Sequence, residues 1–265
     1  MDSELRPSPE GLEVRREGAL GHIRLRRPHK LNALTDAMIL GLTEAFQMLG
    51  ADEGVRVILL SAEGDHFCAG RDVSAFAGMQ EGADPLDLTD EFARVRALIE
   101  AMTTSPLPIV AAIQGYALGA GTGLATWSDI ALAAPNAQFG YSEINLGIAP
   151  SLVAVEAVRA LVPRKAVAEL LLTGRRIDAA EAARLGIITR VVEGDVLAAA
   201  RAVADELAAK SRSALRLTQQ LLDYLPDLDR AAALEYTTQV AALSTQTRDA
   251  REGVAAFLAK RRPRW

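Results

Sequence analysis

The chain of 265 residues is half hydrophobic, which is enough to bury a large core without disulfides or metals. Its net charge of −5, with both signs interspersed, argues against a nucleic-acid surface. One cysteine, Cys68, and three histidines without metal-ligand spacing exclude an internal disulfide and predict a cytoplasmic, reducing compartment with no bound metal.

The N-terminal part of the chain has the pattern of a hairpin followed by a helix. Two β-compatible runs, residues 12–16 and 22–25, are separated by a Glu-Gly pair, which predicts a hairpin. Thr35 is placed to cap a helix whose apolar residues recur at helical spacing over residues 38–49. We therefore expect the helix to pack one apolar face on the strands.

A second strand and helix follow. Residues 55–60 have the pattern of a buried strand, and the glycine-bearing loop over residues 63–72 makes a strand-to-turn-to-helix corner. Residues 80–89 are polar, with a glycine and a proline, which predicts a mobile loop before a helix over residues 92–102.

The central stretch, residues 109–143, carries the strongest chemical signal. A buried strand runs into a glycine-rich turn that opens a helix, and an isolated carboxylate, Glu143, follows. Peptide N–H groups at such a turn, helped by the helix dipole, stabilise a carbonyl oxygen that acquires charge. The same glycines also allow close packing of a helix on a sheet, so their spacing alone leaves both interpretations open.

One part of this region could be mistaken for a membrane span. Residues 101–128 contain no charged residue, and a segment of this length could cross a bilayer. Prolines, Gln114 and the repeated glycines divide the segment into strand, turn and helix. The start of the chain also lacks the basic residues and apolar run of a signal peptide, so we expect no membrane partner.

In the rest of the chain, predicted helices and strands alternate up to residue 192, and only helices are predicted after it. Helices are predicted over residues 152–161 and 165–172, with a proline starting the second, and over 178–185, where a glycine ends the helix before a strand at 187–192. This alternation predicts crossover connections and a largely parallel sheet. The remaining helices are expected over residues 196–209, 211–224, 230–243 and 248–260.

A series of short motifs resembles the successive signatures of the crotonase family, in family order. They are Arg27-Pro28, Leu31-Asn-Ala-Leu34, Phe67-Cys-Ala-Gly-Arg-Asp72, Gly115-Tyr-Ala-Leu-Gly-Ala-Gly121, Ser128-Asp129, Phe139-Gly140 with Glu143, and Leu172-Thr-Gly174 with Leu185-Gly186. The resemblance implies an α/β fold, a crotonase-like spiral of ββα units over residues 1–195 that holds an acyl-CoA site. A C-terminal helical region over residues 196–265 would form a homotrimer or a dimer of trimers.

The resemblance also implies roles for individual residues. Glu143 matches the catalytic glutamate, and the backbone N–H groups of Arg71 and Ala120 match the two oxyanion donors. No cofactor is implied beyond the coenzyme A of the substrate. The residues that match substrate-binding or coenzyme A-binding segments are Lys30, Leu31, Ala33, Ala69, Asp72, Val73, Ser74, Gly121, Gly123 and Ser151.

Some positions depart from the family pattern. Gly123 stands where two-glutamate hydratases carry their other carboxylate, and Arg71 replaces a residue that is usually small. The Arg71 side chain could narrow the pocket, meet a charged group or point to solvent. Ser151 could hold water in the pocket or cap a helix.

The leading hypothesis is an enoyl-CoA hydratase acting on a 2-enoyl-CoA thioester, with a substrate of the methylglutaconyl-CoA kind as one option. A double-bond isomerase is the alternative, because one carboxylate that removes and returns a proton suffices for a 1,3-proton shift. A non-catalytic acyl-CoA-binding protein is the second alternative. The length, branching and any terminal acid of the acyl group stay open at this point.

Overall fold

The computed structural model describes residues 3–4, 10–74, 85–161 and 163–265, and its strands form two β-sheets. The larger sheet contains, in spatial order, β1 (Ser3–Glu4), β2 (Leu12–Glu17), β3 (Leu20–Leu25), β4 (Val57–Ala62), β5 (Ile109–Ile113), β7 (Ile130–Ala133) and β10 (Arg190–Val191). The smaller sheet contains β6 (Tyr116–Leu118), β8 (Gln138–Gly140) and β9 (Ile177–Asp178).

The chain alternates between these two sheets. Strands β1 to β3 pair antiparallel, whereas β3, β4, β5, β7 and β10 pair parallel in that order. Strand β5 of the larger sheet is followed by β6 of the smaller one, and β7 is followed by β8 in the same way. These two turns of the chain therefore each add one strand to each sheet, as the predicted spiral of ββα units requires.

The predicted hairpin and first helix are confirmed. Strands β2 and β3 pair with Arg15 opposite His22. Helix α1 spans Asp36–Ala51, and Thr35 Oγ1 accepts a hydrogen bond from Met38 N at 3.2 Å as its N-cap. The apolar face of α1, which includes Leu42 and Phe46, is buried in the main core.

The loop prediction over residues 80–89 is wrong for residues 85–89, the part of that segment that the structure describes. Helix α2 spans Pro85–Thr103, so it begins at Pro85 rather than at Phe92. Proline is favoured at the first helical position, where its missing N–H costs nothing. The sequence signal interpreted as a loop was therefore a helix start, and residues 80–84 lie outside the described residues.

Shorter helices connect the later strands. They are α3 (Ala120–Thr126), α4 (Ala154–Glu156), which a π-helical turn over Ala157–Leu161 continues, α5 (Arg164–Thr173) and α6 (Ala179–Leu185). Asp178 caps α6 through Glu181 N at 2.7 Å, and Gly186 ends the helix in the left-handed region at φ 80°. The strand predicted over residues 187–192 is reduced to the two residues of β10, which pair with β7.

Four C-terminal helices follow as expected: α7 (Val196–Ala208), α8 (Arg212–Tyr224), α9 (Arg230–Gln246) and α10 (Arg248–Leu258). Helix α7 packs small residues such as Ala200 and Ala204 against Leu59 and Val110 on the second face of the larger sheet. Helix α8 is tied to the spiral because Gln219 Nε2 donates to Asp129 Oδ1 at 2.9 Å. The division at residue 195 stays a prediction.

The charge-free segment at residues 101–128 is divided among the end of α2, strands β5 and β6, and α3. No helix in the part of the chain that the structure describes is both long and apolar enough to cross a membrane. The segment is uncharged because it passes through the core, where Val110, Ile113 and Leu124 have no exposed surface.

Candidate active site

Two glycine-bearing corners that are distant in sequence lie side by side. Cys68 donates its N–H to Tyr116 O at 2.8 Å, and Leu34 donates its N–H to Gly70 O at 2.8 Å. The segment around Gly70 is thus held between β6 on one side and the loop at Leu34 on the other. A Cβ atom at Gly70 would lie 3.7 Å from Ala120 N, so the two corners are adjacent.

Each corner carries a peptide N–H group close to the place where the two corners meet. Ala120 is the first residue of α3, where the N–H has no acceptor within the helix, and no acceptor is found for it among the described residues. Gly70 O and Asp72 N both bond to Leu34, so strand alternation turns the N–H of Arg71 away from Leu34 and toward the side of Ala120. Two donors arranged in this way can stabilise one negatively charged oxygen.

The Glu143 carboxylate lies over the second corner. Gly119 has φ 52° and ψ −118°, a conformation reserved for glycine. A Cβ atom there would stand 2.8 Å from Glu143 Oε1 and 3.3 Å from its Cδ. The absence of a side chain at Gly119 is what allows the carboxylate to lie against this corner.

Burial tunes this carboxyl group. Glu143 sits in a 3₁₀ turn over Ser142–Leu146, which Gly147 ends in the left-handed region at φ 75°. Its Oε2 atom is buried and has no hydrogen-bond partner among the described atoms. Desolvation raises the pKa of Glu143 above its usual value. A carboxyl group tuned in this direction is a better acid and base near neutral pH.

A residue that the sequence analysis did not single out fixes this geometry. Thr122 is fully buried, and its Oγ1 accepts from Gly140 N at 3.0 Å while lying 2.6 Å from Ala117 O. Gly119 N also donates to Gly140 O at 2.8 Å. These bonds join the start of α3 to the segment that leads into Glu143. The sequence signal that could have identified Thr122 is its polar side chain in a segment whose other residues are apolar or glycine.

Asn32 plays a similar part on the other side of the site. Its side chain is fully buried, and its Nδ2 donates to Glu63 O at 2.9 Å and His66 O at 2.8 Å. Its Oδ1 accepts from Arg27 N at 2.7 Å. Leu31 and Asn32 both have left-handed backbone angles, with φ 52° and 54°. Asparagine tolerates that region, and its three bonds hold the loop in place.

A cavity of about 120 Å³ opens beside Glu143. From the predicted site it is lined by Ala69, Arg71, Val73, Ala120, Glu143 and Ser151. The structure adds apolar residues from α2 and from the segment after Glu143, namely Phe92, Val95, Leu146, Ile148, Ala149, Pro150, Leu152 and Val153. The other predicted residues do not line it: Lys30, Leu31, Ala33, Asp72, Ser74, Gly121 and Gly123.

Several of those other residues have clear structural contacts. Asp72 accepts from Arg27 Nη1 at 2.7 Å and from Ser74 Oγ at 2.8 Å. These bonds, that of Ser74 first, lower the pKa of Asp72 to about 2. Gly121 faces the carbonyl of Cys68 so closely that a Cβ atom would not fit. Lys30 is exposed, at the edge of the loop.

The position of the missing second carboxylate is covered by an aromatic ring. A Cβ atom at Gly123 would stand 2.6 Å from Trp127 Cζ2 and 2.7 Å from its Cη2. Trp127 is one helical turn later and only 4% exposed, and helical side chains lean back over the preceding turn. The indole therefore occupies the space into which a side chain at position 123 would begin to extend.

Ser151 does not cap a helix. The N-cap of α4 is Val153, which makes no side-chain cap bond, and Ser151 lies in the preceding turn. The capping expectation is therefore wrong, because the helix begins later than the pattern suggested. Ser151 lines the Glu143 cavity instead.

Comparison with known proteins gives consistent matches over nearly the whole chain. A family model described as "Enoyl-CoA hydratase/isomerase" matches residues 15–265. A probable enoyl-CoA hydratase of Mycobacterium leprae is 36% identical over 247 residues, 93% of this chain and 94% of that protein. The crotonyl-CoA hydratase of Syntrophomonas wolfei is 32% identical over 257 residues, 96% of each. The crystal structure of an enoyl-CoA hydratase from Mycobacterium smegmatis superposes with a TM-score of 0.88 at 34% identity, covering 96% of this chain and 98% of that one.

Proposed function

Because the chain belongs to the enoyl-CoA hydratase/isomerase family, the crotonase family, we propose that this enzyme adds water to a 2-enoyl-CoA thioester. The observation that carries the proposal is the Glu143 carboxylate above Gly119, the residue that directly precedes the proposed oxyanion donor Ala120. A base beside a site for a negative oxygen is what chemistry at the α and β carbons of a thioester requires.

In the proposed reaction the thioester carbonyl oxygen accepts hydrogen bonds from the N–H groups of Arg71 and Ala120. This withdraws electrons from the conjugated double bond and makes the β-carbon electrophilic. Glu143 takes a proton from water as the new C–O bond forms at the β-carbon and the π electrons move to the enolate. Glu143 then returns a proton to the α-carbon. The two N–H donors stabilise the enolate oxygen throughout.

One carboxylate performs both proton transfers in this scheme. In two-glutamate hydratases the work is shared, but here Trp127 covers Gly123. The same single base would also serve an isomerase, which moves a proton between the α and γ carbons. The names of the relatives favour hydration, since one of them is a crotonyl-CoA hydratase. A binder without activity has less support, because the carboxylate and both corners are retained.

Product analysis separates the two reactions. We expect purified enzyme to convert crotonyl-CoA to 3-hydroxybutyryl-CoA, measured as loss of the conjugated thioester absorbance and by mass spectrometry. 3-Hexenoyl-CoA supplied in parallel would be converted to 2-hexenoyl-CoA by an isomerase. Migration of that double bond without any hydration of crotonyl-CoA would reverse the assignment, and no turnover of either thioester would favour the binder.

Coenzyme A binding is proposed for the loop that includes Lys30, Leu31 and Ala33, with Ala69 and Asp72 to Ser74 on the facing segment. Lys30 and Leu31 are exposed, and Ala69 N donates to Leu31 O at 3.0 Å. The loop is thus held beside the oxyanion corner without lining the acyl cavity. We propose no cofactor other than the coenzyme A of the substrate.

We also propose a homotrimer or a dimer of trimers, with no nucleic-acid partner. The C-terminal helices leave large apolar side chains in contact with solvent, including Phe257 at 82% and Leu258 at 76% exposed. Light scattering at micromolar concentration is expected to give a mass of three or six chains. A stable monomer would contradict this assembly. The cytoplasmic location stays a prediction.

A further inference from the structure

The walls of the Glu143 cavity are apolar where the acyl tail of a substrate would lie. Val73, Phe92, Val95, Leu146 and Leu152 line it, and Val73 and Leu146 remain about three-fifths exposed at 60% and 61%. Among the described residues that line the cavity, the charged side chains are Glu143 and Arg71. Since Glu143 belongs to the proposed chemistry, Arg71 is the lining cation that could meet a charged group on the tail.

Arg71 is already engaged by two carboxylates. Its Nη2 donates to Asp36 Oδ1 at 3.0 Å and forms an ion pair with Glu91 of α2. The guanidinium lies over the ring of Phe92, 5.5 Å from the centroid. The side chain of Arg71 is only 10% exposed and that of Glu91 only 15%. The arginine that lines the cavity is therefore largely buried together with Glu91, whereas the side chain of Asp36 is 40% exposed.

The charges of these three side chains add to a negative total. The positive charge of Arg71 is paired with the two negative charges of Asp36 and Glu91. Glu143, which also lines the cavity, adds a further carboxylate. A terminal acid on the acyl tail would meet this negative field. Because Asp36 and Glu91 already pair with Arg71, a tail carboxylate that approached the guanidinium would also stand close to two like charges. An uncharged tail meets no such repulsion.

We propose that the Arg71–Asp36–Glu91 cluster makes the enzyme selective for acyl-CoA thioesters with an uncharged, apolar tail and against those with a terminal carboxylate. This inference rests on the proposed function, since it concerns the acyl cavity of that site. It selects against the methylglutaconyl-CoA kind of substrate, whose tail ends in an acid. Repulsion between the cluster and a charged tail would give specificity without any additional attractive contact to the apolar tail.

The test measures binding, so it does not depend on turnover. Glutaryl-CoA and 5-methylhexanoyl-CoA are saturated thioesters whose tails have the same number of heavy atoms and the same terminal fork, one charged and one apolar. Calorimetric titration of the assembled enzyme is expected to give on the order of 100-fold weaker binding of glutaryl-CoA, as like-charge juxtaposition at an interface implies. Equal binding, or tighter binding of glutaryl-CoA, would overturn the inference.

Variants assign this selectivity to the cluster. Asp36→Asn with Glu91→Gln removes both negative charges while keeping the shapes, so the preference for the apolar tail should fall at least about tenfold. Glu91→Gln alone should give part of the change if the double variant does not fold. Glu100→Gln, on the same helix but paired with the exposed Arg96, is the matched control and should leave the ratio unchanged.

The outcomes separate this inference from the proposed function. A preference that persists undiminished in Glu91→Gln and in the double variant would remove the cluster from the selectivity. Failure of both thioesters to bind would overturn the acyl-CoA function and the inference together. Binding of both with a ratio near one would overturn the inference alone.

Discussion

Replacing Glu143 by Gln is expected to lower turnover by about 10²–10⁴-fold, the usual contribution of a positioned general base. The amide keeps the size of the carboxylate above Gly119, so acyl-CoA binding should change little. Steady-state hydration of crotonyl-CoA and titration with a saturated thioester measure the two effects separately. Glu193→Gln, which changes an exposed carboxylate between β10 and α7, is the control. Turnover near that of the wild type in Glu143→Gln would remove Glu143 from the mechanism.

The pH dependence of the rate should identify the same group. Desolvation raises the pKa of Glu143, and the proposed water-activating step needs its deprotonated form. Turnover should therefore rise with pH through a value above the ordinary 4.5 of a glutamate and fall when the pH drops below it. The residual activity of Glu143→Gln should lack this acid limb. An unchanged acid limb in the variant would assign the titration to another group.

Gly119→Ala is expected to cause a loss of turnover of about 100-fold, together with weaker acyl-CoA binding. The added Cβ would stand 2.8 Å from Glu143 Oε1, so the carboxylate must move. The φ of 52° with ψ of −118° is also strained for alanine, at a cost of roughly 1–3 kcal/mol. Relief of that strain would shift the N–H of Ala120, and displacements of about 1 Å can cost on the order of 100-fold in rate.

Gly18→Ala is the matched control for this substitution. Gly18 also has a positive φ, 62°, but a Cβ atom there would meet nothing within 4 Å. It lies in the β2–β3 hairpin, away from the cavity. Its substitution should lower the free energy of unfolding slightly, measured by urea denaturation, without changing turnover. If the two variants lost turnover equally, general backbone strain rather than contact with Glu143 would explain the result.

The parts predicted well from the sequence are those decided by neighbouring residues. The Thr35 cap and the helix end at Gly186 each satisfy backbone groups within the same turn of helix. The spiral fold and the family were also recognisable from the sequence, because the short motifs occur in the order that is typical of the family. The start of α2 was missed because Pro85 fits both a loop and a first helical turn.

The side chains that shape the candidate site depend on contacts between distant segments. Asn32 bonds to Glu63 and His66, and Arg71 pairs with Asp36 on α1 and Glu91 on α2. No spacing rule links such positions. The sequence showed that Arg71 was unusual, but its three possible surroundings were equally compatible with the local pattern.

The sequence alone therefore indicated the two glycine-bearing strand-to-helix corners and the candidate catalytic carboxylate Glu143. It also showed that Gly123 stands where two-glutamate hydratases carry a second carboxylate. Only the tertiary structure decided that Glu143 lies over Gly119, that Trp127 covers Gly123 and that Arg71 pairs with two carboxylates. The physical reason is the distance along the chain over which each interaction acts. Caps, turns and strand patterns are set by backbone hydrogen bonds over a few residues, whereas burial and ion pairing depend on which segments the fold brings together.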